Sequence, residues 1–112
     1  MNDTTLKELK DDVEDAAKEL LGEKLSKVVL YGSFARGDFD ADSDIDFAFI
    51  STIPNNNIPS YNKSIGEITS ELSIKYGILV STIIISTETL NEYKDVLPFY
   101  MNLLKEGKII YG

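Results

Sequence analysis

Asp44 and Asp46 are the residues of this chain whose type and spacing point most directly to chemistry. They end a run of alternating aspartates, Asp38, Asp40, Asp42, Asp44 and Asp46, set between two apolar stretches. Two carboxylates two positions apart on a strand leave the same face, with Cα atoms roughly 6–7 Å apart. Like charges this close repel, and burying either one without a partner is costly. Either the stretch is simply solvated or something positive belongs there, and a divalent cation would resolve the conflict. Mg²⁺ commonly takes one or two carboxylates and leaves its other positions to water and substrate phosphate. Two such ions about 4 Å apart hold both the attacking and the leaving oxygens of a phosphoryl-type displacement. Ile45 and Phe47 alternate with the aspartates and are expected in the core.

Gly32 and Ser33 supply a second half to this chemistry. A glycine at the end of a strand lets backbone approach a ligand closely. A helix starting at Ser33 would turn its free N–H groups towards an anion in the same crevice. The Ser33 hydroxyl can donate to a phosphate oxygen, and Arg36, one turn on, can reach a phosphate or an aspartate. Two familiar loops are excluded. Gly32 and Gly37 have P-loop spacing, but Asp38 and Phe39 stand where Lys and Ser or Thr are required. Neither aspartate register makes an EF-hand. From Asp38 the glycine and glutamate positions hold Ser43 and Phe49, and from Asp40 they hold Ile45 and Ser51. Asp38, Asp40 and Asp42 read as a solvated loop.

The bulk composition narrows the chemistry further. The chain has no cysteine and no histidine. Disulfides, thiolate metal sites and a Ser-His-Asp triad are therefore ruled out, a zinc site is disfavoured, and any metal is held by oxygen. A net charge of −8 disfavours DNA or RNA on a broad surface and favours a basic protein partner. No apolar run reaches the roughly 20 residues of a membrane span. The polar start MNDTTLKELKDD is unlike a signal or transit peptide, so a cytoplasmic protein is expected. A length of 112 residues suits one domain, 1–112, with its own core.

These residues must be positioned by an alternation of helices and strands. Leu6, Leu9, Val13, Ala17, Leu20 and Leu21 predict an amphipathic helix over 4–21, with Thr5 and Glu8 as a capping box and Gly22 as its stop. Strands are expected at 27–31, 45–50 and 78–86, the last being the most β-branched. A short helix is expected over 33–36 and a Pro/Asn-rich loop over 52–59. Ser60 is expected to cap a helix to Tyr76, with Ile65, Ile68, Leu72 and Ile74 or Tyr76 inward and Gly77 as terminator. Thr87 is expected to cap a helix to about Leu97; Pro98 breaks or restarts it, and Phe99–Glu106 reads as helical. KIIYG is a tail or an edge strand. Tyr93, Phe99, Tyr100 and Tyr111 read as core or interface residues in preference to a base-stacking role. The sum is an α/β (α+β) domain on a small mixed sheet flanked by helices.

The stretch GSFARGDFDADSDID resembles the signature of the DNA polymerase β-type nucleotidyltransferase superfamily in its minimal form: Gly-Ser, ten residues, Asp-x-Asp. Here these are Gly32-Ser33, Phe34 to Ser43, and Asp44-Ile45-Asp46, with Ala35-Arg36-Gly37 and Ser43-Asp44 also in keeping. The resemblance implies the minimal nucleotidyltransferase fold. It implies Mg²⁺, two ions, on Asp44 and Asp46, and ATP as substrate with its β- and γ-phosphates on Gly32 and Ser33, assisted by Arg36. Small members resemble the antitoxin of HEPN–MNT toxin–antitoxin pairs, which binds a HEPN ribonuclease and transfers AMP to it. The implied partner is thus a HEPN-type toxin, with the oligomeric state left open.

One position departs from the pattern. Full members carry a third carboxylate on the next strand, and in Gly77-Ile78-Leu79-Val80-Ser81-Thr82 that place falls to Ser81. Serine is a poor general base and metal ligand at neutral pH. Two readings follow. One is a protein adenylyltransferase acting as an antitoxin. The other is a catalytically weak antitoxin that neutralises its toxin by binding. A nucleotidyltransferase for a small molecule such as an aminoglycoside is weaker, because nothing beyond the minimal domain is present to hold one.

Overall fold

The computed structural model describes residues 1–112. Helix α1 spans Asp3–Leu21 and buries Leu9, Val13, Ala17 and Leu21. Its cap is Asn2 rather than Thr5: the Asn2 Oδ1 accepts the Thr5 N–H at 2.8 Å, so the helix starts before the expected box. Gly22 ends it, with a single 3₁₀ turn, Gly22–Lys24, leading into β1, Leu25–Tyr31. Then come α2, Ser33–Arg36, β2, Ile45–Ser51, and α3, Asn62–Tyr76. After these follow β3, Val80–Ser86, α4, Thr87–Tyr93, α5, Pro98–Glu106, and β4, Lys108–Tyr111.

The sheet has four strands in the order β3-β2-β1-β4. β1 pairs antiparallel with β2 and with β4, while β2 and β3 are parallel. β2 lies inside the sheet, and every residue of it except Asp46 is buried. Alternation sorts the side chains onto two faces. Val28, Leu30, Ile45, Phe47, Phe49 and Val80 pack against α1, α2 and α3. Val29, Ala48, Ile50 and Ile85 pack with Leu103 of α5 and Leu90 of α4 on the other face. The result is a mixed sheet between two helical layers, the expected fold class.

Several boundaries differ from the sequence reading. Residues 55–61 form a 3₁₀ turn where a loop was expected, and α3 starts at Asn62 without Ser60 as its cap. The Ser60 hydroxyl donates instead to the Asn57 carbonyl at 2.6 Å, within that turn. Tyr76, not Ile74, is the inward residue: Ile74 is 83% exposed, and the Tyr76 hydroxyl donates to Asp12 of α1. Ser86 caps α4 in place of Thr87, its Oγ accepting the Thr89 N–H at 3.0 Å. The helix expected to reach Leu97 stops at Tyr93, and Pro98 occupies the first turn of α5, where its missing N–H costs nothing. β4 settles KIIYG as an edge strand.

Candidate active site

The site begins where β1 ends. Gly32 has φ +74°, a conformation that L side chains resist, and it feeds straight into α2. Its carbonyl accepts from the N–H groups of Ala35 and Arg36, each at 3.1 Å, so a four-residue helix starts without a side-chain cap. Gly37 closes that helix at φ +83°. Phe34 and Ala35 are buried and pin it to the core, leaving Ser33 partly exposed beside the strand end.

Strand pairing brings Asp46 to this turn. Tyr31 is opposite Asp46 in the antiparallel ladder, and Asp46 is opposite Ser81 in the parallel one. Tyr31, Asp46 and Ser81 therefore form one row across three strands, on the face that carries α4 and α5. The Asp46 carboxylate leans over Gly32: a Cβ at position 32 would lie 2.6 Å from Asp46 Oδ2. Gly32 is thus required twice, by its φ and by that oxygen. Asp44 corrects one detail of the sequence reading. It lies just before β2 and is exposed, rather than within the strand. The Ile45 N–H donates to the Leu79 carbonyl at 3.0 Å, which fixes the strand entry beside it.

The electrostatics leave this pair of carboxylates uncompensated. Burial, and next the nearby Asp44 charge, push the Asp46 carboxyl above its ordinary range. Burial, followed by Asp46, pushes the Tyr31 hydroxyl up to about 12, so it stays protonated. No Lys or Arg forms an ion pair with Asp44 or Asp46. Arg36 turns elsewhere, its Nε donating to Asp38 at 3.2 Å and its Nη1 to Glu106 at 3.5 Å. The bond to Asp38 chiefly raises the guanidinium's proton affinity. In this arrangement Arg36 ties the aspartate loop to α5. Asp38, Asp40 and Asp42 are exposed, and Asp40 organises its own turn by accepting the Asp42 N–H at 2.9 Å.

Two oxygen-donor side chains with no cation near them suit a hard divalent ion such as Mg²⁺ or Mn²⁺. No group of three His, Cys, Asp or Glu side chains converges anywhere in the chain. The parallel register puts Ser81, not a carboxylate, beside Asp46. A groove of about 220 Å³ lined by Val29, Ile50, Leu90, Leu103 and Ile109 lies farther along the same sheet face and contains none of the candidate residues.

Residues 6–110 match the nucleotidyltransferase domain family. The chain belongs to that family. This nucleotidyltransferase is 31% identical to a "putative protein adenylyltransferase" of Methanocaldococcus jannaschii, over 87% of this chain and 89% of that protein. A second protein of the same name and organism is 34% identical over 85% of this chain and 90% of its own length. Among solved structures, a toxin–antitoxin crystal structure with AMP-PNP superposes with a TM-score of 0.63 at 20% identity, covering 92% of this chain and 73% of that one. A structure of a tri-AMPylated Shewanella oneidensis HEPN toxin in complex with an MNT antitoxin gives 0.56 at 15% identity, covering 95% and 71%. These likenesses show the shared fold of this nucleotidyltransferase. Tyr31 is the site neighbour that sequence reasoning missed, and Phe99, read from sequence as core or interface, packs against it. Tyr31 directly precedes Gly32 and faces the same side as Asp46, a signal the alternation carried; which of the aromatics would meet it had no local signal.

Proposed function

We propose that residues 1–112 act as one nucleotidyltransferase domain in the cytoplasm, transferring AMP from ATP to a hydroxyl on a HEPN-type toxin and so serving as its antitoxin. The observation that carries this reading is the convergence of the two halves of the motif, with the Asp46 carboxylate directly over Gly32. The names of the curated relatives and the nature of the solved complexes support it. Asp44 and Asp46 would hold Mg²⁺, two ions, which when bound neutralise the phosphates and the developing charge. Gly32 and Ser33 hold the β- and γ-phosphates. Arg36 assists once its contacts with Asp38 and Glu106 are exchanged for phosphate. In the transfer the acceptor oxygen bonds to the α-phosphorus, and the bond from that phosphorus to the bridging oxygen breaks. Pyrophosphate leaves, and the hydroxyl proton passes to solvent.

Ser81 favours a second reading, because it stands beside Asp46 where a carboxylate would serve as general base. On that reading the domain neutralises its toxin by binding and turns over slowly or not at all. The two are separated by label transfer from α-³²P-ATP with Mg²⁺, with the co-expressed partner as acceptor, for wild type and Asp44→Ala/Asp46→Ala. Label on the partner with wild type alone establishes the transferase. Neutralisation by both proteins without label establishes the binding antitoxin.

A further inference from the structure

We propose that Phe99 is the platform on which the purine base of the nucleotide stacks. This rests on the nucleotidyltransferase reading of Gly32, Ser33, Asp44 and Asp46, and assigns the other end of the same ligand. Tyr31 is the last residue of β1, adjoins Gly32 and pairs with Asp46. The Phe99 ring lies against it, centroids 5.6 Å apart and planes at 86°. Phe99 is therefore one aromatic contact away from both the phosphate turn and the carboxylate pair.

The ring is fixed in place yet not used by the core. Tyr100 packs edge-on to it at 5.2 Å and 88°, Pro98 sets the entry to α5, and buried Leu103 anchors that helix to the sheet. Even so, Phe99 is 44% exposed. A rigid, half-solvated aromatic beside a phosphate site is what a base needs, since a base offers a π-face and stacking on an aromatic is worth about 1–3 kcal/mol. The neighbouring exposed side chains Val96, Leu97, Met101 and Leu104 have no planar face. Tyr93 stacks with Tyr100 at 6.0 Å, and the aromatic packed on Tyr31 is Phe99. Phenylalanine carries no donor or acceptor, so it favours purines by stacking strength without choosing between adenine and guanine.

The chain contains no tryptophan, so Phe99→Trp places a single indole reporter at the platform. Its fluorescence should be quenched on titration with Mg²⁺-ATP or Mg²⁺-GTP, and unchanged with Mg²⁺-tripolyphosphate. Calorimetry on Phe99→Ala and on Phe99→Leu, which keeps apolar bulk but no ring, should show ATP binding weakened by about 5- to 140-fold in both, with tripolyphosphate affinity unchanged. Circular dichroism confirms that each variant is folded. Binding of ATP to Phe99→Trp by calorimetry without a change in emission, or wild-type affinity in Phe99→Leu, overturns the platform alone. Absence of ATP binding to wild type overturns the nucleotidyltransferase reading of the site and the platform with it.

Discussion

Asp46 shows how a residue suited to metal binding weighs on the stability of the fold. Its carboxyl is raised by burial and by Asp44, so the folded state holds a proton more tightly than the unfolded chain does. The contribution to stability is complete below the unfolded value near 3.8 and is lost as pH rises through the higher folded value. At neutral pH the charged, metal-free carboxylate is therefore a burden. Asp46→Asn should raise the Tm of the metal-free protein at pH 7 by a few degrees, under about 1 kcal/mol because the side chain is half-exposed. Mg²⁺ should raise the Tm of wild type and leave the variant unmoved, as read by scanning calorimetry with and without the ion. Gly32→Ala tests the same carboxylate from the other side. Its Cβ would meet Asp46 Oδ2 at 2.6 Å in a backbone held at φ +74°. We expect a loss of about 1–3 kcal/mol in a urea melt, together with loss of nucleotide binding.

At the scale of elements, a second glycine separates backbone strain from damage to the site. Gly77 caps α3 at φ +65° with open space around it. Gly77→Ala should cost about 1 kcal/mol and leave nucleotide binding intact, which distinguishes it from Gly32→Ala in paired denaturation and binding measurements. Helix α5 is the element on which the proposed nucleotide platform depends. Leu103 is 3% exposed and joins α5 to Val29, Ala48 and Ile50. Leu103→Ala should cost about 2–5 kcal/mol. Hydrogen exchange should quicken along Pro98–Glu106 before it does in α1, because the small cluster under α5 is the one disrupted. The expected elements were legible because apolar periodicity is local. Their ends were less so: Asn2 competes with Thr5, and Ser86 with Thr87, for the same capping role, and only the folded backbone shows which oxygen meets an N–H.

At the scale of the molecule, no helix is long and apolar enough to cross a membrane, in keeping with the lack of an apolar run of about 20 residues. The chemistry on offer was legible in the linear order of residues. Gly32-Ser33, ten residues and Asp44-Ile45-Asp46 form a contiguous pattern, and a chain without His or Cys leaves only oxygen to hold a metal. The family resemblance also implied that Ser81 would stand in a carboxylate's place, from the match of Gly77-Ile78-Leu79-Val80-Ser81-Thr82 to the family's next strand. Tertiary structure decided what those residues touch. The parallel pairing of β2 with β3 set Ser81 beside Asp46, and packing of α5 across the sheet set Phe99 against Tyr31. The same packing drew Arg36 to Glu106 and away from the aspartate pair. Local periodicity encodes which face a side chain leaves from. Neighbours across strands and layers depend on register and helix docking, which arise only when distant segments bury their apolar faces together.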